Sequence, residues 1–261
     1  RSSDLMAGSM QSVEATIPEG TATGTDAFAI GPQSNVNGAF GFAIGNNAKF
    51  NGGTLGFAIG VNSEAKSNQS IAIGYLSKAT GRNNGGGGDP ALAVGAGANA
   101  TEAGTSAFGL SANASGTYAT AIGFKSTVSG NDGMAIGASS KASKQGASAM
   151  GPGARAYGNG AISLGYQALS GANTYTGAAN SAAPFDDKDA TINTYAKWGD
   201  AAIGLRAVAT GGNATALGRS ASATAANAIA IGGGNGNSER DNTEKTEATG
   251  EKATAIGYNA K

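Results

Sequence analysis

Cut every fourteen residues, the stretch from Ser106 to Gly165 reads SAFGLSANASGTYA, TAIGFKSTVSGNDG, MAIGASSKASKQGA, SAMGPGARAYGNGA and ISLG. Each segment carries a small residue in second place, an apolar residue in third and glycine in fourth. The same tetrapeptide runs outward in both directions. Its glycines are Gly31, Gly45, Gly60, Gly74, Gly95, Gly109, Gly123, Gly137, Gly151, Gly165, Gly204, Gly218, Gly232 and Gly257. Nine of the thirteen steps between them are 14 residues, and the other four are 15, 21, 39 and 25. A flexible glycine–serine linker would share the composition but would keep no register.

The columns of this repeat define a coil. The residue two before the glycine is alanine everywhere except Ser163. The residue one before is always apolar, and includes Ile30, Ile44, Ile59, Ile73, Val94, Ile122, Ile136, Ile203, Ile231 and Ile256. Three after the glycine comes Ala or Ser, except Asn235, and seven after it a second glycine is frequent. Two short alternating segments, each closed by a glycine-bearing turn, read as two strands and two turns per repeat. A helix is excluded, because two glycines per period would cost about 2 kcal/mol against alanine. Collagen is excluded, because glycine does not recur at every third position. The expected fold is all-β: a parallel β-solenoid of about fourteen 14-residue coils, stacked at about 4.8 Å.

Adjacent Ala and Ile side chains point to opposite faces of a strand, so one column lines the coil and the other looks outward. Parity alone leaves open which is which. In either case a coil this narrow encloses little apolar volume. An apolar ladder on both faces calls for a partner surface, most simply further copies of the same chain.

Composition narrows the chemistry. With 17 basic and 17 acidic residues the chain carries no net charge, which excludes a basic nucleic-acid footprint. Histidine and cysteine are absent, removing the commonest general base, the thiolate nucleophile and sulfur metal sites. No enzyme activity, cofactor or metal is expected, and small side chains leave few deep pockets for a small-molecule substrate. No apolar run is long enough to cross a bilayer and no signal peptide is visible. The reading is therefore of a fragment, with 1–19 as a lead-in whose first ten residues resemble a vector remnant.

The repeated Ala-Ile-Gly-x-x-Ala/Ser-x-Ala unit, carried from about residue 20 to 261, resembles the head repeat of trimeric autotransporter adhesins, the YadA-like family. The resemblance implies a left-handed β-roll, a homotrimer, and display on the surface of a Gram-negative cell. The anchor would be an outer-membrane domain of the full-length protein. It also implies a virulence-associated role in cell adhesion, with host extracellular matrix proteins or cell-surface receptors as partners. The alternative is a structural spacer that presents another binding region and has no ligand of its own. An ice-binding solenoid would need a column of threonines. The position three before each glycine starts Phe28, Phe42, Phe57, Ile71 and Leu92 instead.

The irregular steps mark inserts at about 82–90, 171–199 and 238–251, with a single extra residue near Gly52 to Thr54. All four are expected at one phase of the coil, after the second strand, and so along one edge. The insert at 171–199 gathers Tyr175, Phe185, Lys188, Tyr195 and Trp198, in a chain that otherwise avoids aromatics. These five are the candidate partner-binding residues. Asp186, Asp187 and Asp189 do not have calcium-loop spacing, and Gly85 to Gly88 lack the lysine of a phosphate loop. Lys197 to Asp200 superficially echo integrin-recognition tripeptides.

Overall fold

The computed structural model describes residues 20–81, 89–171, 199–234 and 245–261, together with the backbone of 174–175 and 190–191. They form a parallel β-solenoid in two compact units, 1–125 and 126–261. In each unit the chain alternates between a three-residue strand, which carries the residues before Ala-Ile-Gly's glycine, and a two-residue strand.

In the first unit the three-residue strands are Phe28–Ile30, Phe42–Ile44, Phe57–Ile59, Ile71–Ile73, Leu92–Val94, Ser106–Phe108 and Thr120–Ile122. Each pairs in parallel with the next, so that Ala43 meets Ala58, Ala58 meets Ala72, and Ala72 meets Ala93. The two-residue strands form a second parallel sheet, from Thr21–Ala22 and Asn35–Val36 to Asn99–Ala100 and Asn113–Ala114. The second unit repeats the plan, with Met134–Ile136 to Thr254–Ile256 in one sheet and Thr127–Val128 to Glu247–Ala248 in the other. It also holds an antiparallel pair, Thr174–Tyr175 against Ala190–Thr191.

The alanine column faces inward. Ala43, Ala58, Ala72, Ala93, Ala107, Ala135, Ala149, Ala202 and Ala216 are fully buried, and so are Ala65, Ala79, Ala100, Ala114, Ala142, Ala156, Ala209 and Ala223 of the two-residue strands. Four small side chains fill a coil; in one they are Ala147, Ala149, Ala154 and Ala156. With so little apolar area per coil, much of the cohesion falls to the ladder between coils, such as Gly95 N to Ile73 O at 2.8 Å and Leu92 N to Thr105 O at 2.9 Å.

Serine alternates with alanine at the inward turn position for a local reason. The hydroxyls of Ser34, Ser63, Ser77 and Ser140 each donate to the carbonyl of the glycine three residues earlier, at 2.8–2.9 Å. A buried hydroxyl satisfied within its own turn costs no more than a methyl group would. Departures in the interior come in compensated sets. Ser163, the one break in the alanine column, meets Ser170 across the coil at 2.7 Å. Phe50 is fully buried because Gly41 and Gly56 sit in the coils on either side, where any Cβ would overlap its ring.

The two glycine columns have different physical reasons. The glycine of Ala-Ile-Gly takes a φ that only glycine tolerates; Gly95 has φ +132°, and a Cβ there would stand 2.5 Å from Gly109 O. The second glycine was expected to supply a left-handed turn residue as well, and among the described ones only Gly81, at φ +39°, has a positive φ. At Gly38 and Gly130 the requirement is steric, since a Cβ would overlap the carbonyl of the following coil. The left-handed residue of that turn comes two positions later and is often not glycine, as at Phe40, Tyr118 and Asn227, with φ of 53–57°.

The fourth insert corrects a second expectation. Glu247–Ala248 pairs with Ser222–Ala223 and is therefore the two-residue strand of its coil. Buried Thr246 takes the inward place that Asn235 holds by spacing. The surplus residues thus lie between Gly232 and Lys245, at the first turn, and not at about 238–251 after the second strand. The other long steps fall after the second strand, between Lys78–Ala79 and Leu92–Val94 and between Leu169–Ser170 and Ala201–Ile203.

Candidate functional site

Parity places two outward columns on each sheet, and the two sheets present opposite chemistry. On the three-residue sheet both columns are apolar over the first five coils: Phe28/Ile30, Phe42/Ile44, Phe57/Ile59, Ile71/Ile73 and Leu92/Val94. The phenylalanines form a ladder, with ring centroids of Phe28 and Phe42 5.9 Å apart and those of Phe42 and Phe57 stacked at 5.1 Å. Ile44, Ile73 and Ile122 remain 36–38% exposed, and Ile256 66%. Ile30, Ile59, Val94, Ile136, Ile203 and Ile231 are half-buried. None of this ladder packs inside the coil. The apolar band continues over the first turn through Val61, Tyr75, Leu110 and Phe124, all well exposed.

The outer face of the two-residue sheet is polar. In the first unit it carries Asn35, Asn37, Lys49, Asn51, Glu64, Lys66, Lys78, Thr80, Asn99 and Asn113. Lys66 and Glu64 form an ion pair at 2.8 Å, and Asn99 Nδ2 donates to Asn113 Oδ1 at 3.3 Å. In the second unit Lys141 stands in the outward column of Lys141–Ala142. It is half-buried, and its ammonium lies 5.8 Å from the ring centroid of Tyr157. Tyr157 is fully buried and packs with Leu169 and Val208 at the base of the long insert. Near the C-terminal end, burial alone would raise the Glu247 carboxyl. Hydrogen bonds and charge from Lys245 and Lys261, each at 2.6 Å, hold it below the usual value.

A fourteen-residue coil with buried alanines, an apolar sheet face and a polar one is a recurrent unit, and a family model matches it repeatedly. The model, the YadA head domain repeat (two copies), matches residues 22–48, 52–77, 65–83, 114–140, 142–168, 209–235 and 246–261. The chain belongs to the YadA head domain repeat family. No curated protein matches it. This YadA-like head places its repeated pattern, Ala-Ile-Gly, with alanine inside, isoleucine outside and glycine in the turn.

Of the five candidate partner-binding residues, the head places only Tyr175, in the antiparallel pair. Phe185, Lys188, Tyr195 and Trp198 lie outside the described residues, as do Asp186, Asp187, Asp189 and Gly85 to Gly88. Asp200 is fully buried, and its Oδ1 accepts from Gly212 N at 2.9 Å and Ala214 N at 2.8 Å. A carboxylate held in this way pins the return of the insert and is not presented to a receptor. Among the described residues no group of three acidic side chains is placed to hold a metal ion.

Sequence reasoning missed the breadth of the apolar face. The column headed by Phe28, Phe42 and Phe57 was read only for its lack of threonine. Its parity with the isoleucine column was available from the spacing of two, and would have joined the two columns on one face.

Proposed function

We propose that this YadA-like head is a surface adhesin module that works as a homotrimer. The apolar sheet faces of three copies would cover one another and leave the polar faces outward. The observation that carries this reading is the division of the first five coils into an apolar outer face and a polar one around an interior of mostly alanine. An exposed apolar strip of this continuity marks an association surface. Outward, the polar columns repeat at coil spacing and would contact host extracellular matrix proteins or cell-surface receptors through many weak contacts, summed by avidity. In the full-length protein the head would be displayed on the bacterial outer membrane. No catalytic role is proposed.

The test is a binding screen of the chain against collagens, fibronectin, laminin and intact cells, with sedimentation equilibrium in parallel. The expected result is about three times the chain mass and saturable binding that weakens when the chain is made monomeric. A monomer at micromolar concentration would overturn the trimer. A trimer that binds nothing would favour the spacer reading.

A further inference from the structure

Asparagine followed by glycine is the dipeptide in which a side-chain amide is most easily lost, since glycine puts no side chain in the way of its own nitrogen. The chain contains five such pairs. Three lie within the described residues: Asn37–Gly38, Asn51–Gly52 and Asn159–Gly160. Their surroundings differ. Asn37 and Asn51 are exposed on the polar face, one coil apart in the same column. Their own amides are tied into the ladder, Asn37 N to Phe50 O at 2.8 Å and Asn51 N to Ala65 O at 3.0 Å. The amides of Gly38 and Gly52 donate no hydrogen bond among the described residues. At the third pair the arrangement is reversed. Asn159 is half-buried and the Gly160 amide donates to Gln145 O at 2.8 Å.

We propose that Asn37 and Asn51 are deamidation sites of the folded protein, and that Asn159 is protected by its turn. Hydroxide removes the proton of the Gly38 amide, which lies in a buried residue but is held by no hydrogen bond among the described residues, and the nitrogen attacks Cγ of Asn37. The N–Cγ bond forms, the Cγ–Nδ2 bond breaks, and ammonia leaves with a proton from water. Water then opens the succinimide at either carbonyl, giving aspartate or isoaspartate. The sum is one water consumed and one ammonia released, with no oxidant or cofactor. The Thr23 hydroxyl, 3.2 Å from Asn37 Oδ1, polarises that carbonyl toward attack. At Asn51 the freedom comes from Gly52, Gly53 and the extra residue of that coil. Each event turns a neutral side chain into a carboxylate, at Asn51 one coil from Lys66 in the same column, so the polar face changes charge with age. The chemistry needs no partner and is independent of adhesion.

The experiment holds the folded chain in mildly alkaline buffer and, in parallel, in denaturant. Peptide mapping in heavy-oxygen water then gives a rate at every pair. Dividing the folded rate by the unfolded rate removes the effect of local sequence. Asn37 and Asn51 should keep a share of their unfolded rate at least about tenfold larger than Asn159 keeps. Suppression of all three to the same degree would overturn the proposal, as would reaction of Asn159 at its unfolded rate. Thr23→Val should slow Asn37 and leave Asn51 unchanged; no slowing at Asn37 would remove the part given to Thr23.

Discussion

The two sheets of a coil share an interior and differ outside. Ala72 and Ala79 are equally buried, yet the three-residue strand Ile71–Ile73 turns two isoleucines outward while Lys78–Ala79 turns a lysine outward. The inward columns scarcely vary because a coil of four small side chains has no room for variation without a matched change nearby. What a coil does is therefore set by its outward columns. Stability against unfolding is read from the inward letter of a strand, and the proposed association between copies from the letter beside it.

The sharpest way to break that comparison is to place one charge on each side of a single strand. Ala135→Asp buries an unpaired carboxylate among alanines and should cost several kcal/mol, about 3 or more, seen as loss of the cooperative melt. Ile136→Asp, one residue on, faces outward and should leave the melt of the isolated coil nearly intact while lowering the oligomer's. Equal loss of fold in both would mean that the isoleucine column supports the coil itself.

Next comes association. Ile73→Asp in the centre of the apolar face should shift sedimentation from trimer toward monomer and keep the β circular dichroism. A smaller effect belongs to the serine pair. Ser163→Ala leaves Ser170 without its partner and should cost about 1 kcal/mol, and adding Ser170→Ala should recover part of it. Urea titration of the double-mutant cycle reads the coupling, and additive losses would deny it.

The smallest effect concerns Glu247. Its carboxyl is held below its ordinary value, so its ion pairs contribute stability above the unfolded value that is lost as pH falls through the lower folded one. Glu247→Gln should cost no more than about 0.5 kcal/mol near neutrality and nothing in acid, because the pairs lie near the surface. A loss that persists in acid would point to packing in place of charge.

The period of fourteen, the strand content and the parallel stacking were legible because Ala-Ile-Gly repeats in register. The inward column was not, since parity separates Ala43 from Ile44 without saying which is enclosed. Volume decides it: four methyl-sized groups fit where an isoleucine ladder does not. The reason for Gly38 was misread because a turn glycine suggests a dihedral requirement. Only the neighbouring coil, with its carbonyl against the Cβ position, reveals the steric one. The place of the fourth insert was misread because spacing counts residues between glycines and cannot say on which side of Glu247–Ala248 the surplus falls. For the candidate partner-binding residues, the aromatics of the insert stood out by composition, whereas the repeated polar columns now proposed as a contact surface did not stand out at all.

The Phe50 arrangement bears on how such a chain can grow. Between Ala93 and Ala114 every inward neighbour is a small residue, so a duplicated or deleted coil would meet the same surface it left. Around Phe50 the ring needs Gly41 on one side and Gly56 on the other, and a cut between them strands a large side chain among alanines. Recombination between repeats is thus free to change the number of coils in the alanine-lined stretch and is penalised near Phe50. A head of a different length is therefore expected to differ in its alanine-lined coils and to keep the Phe50 segment whole.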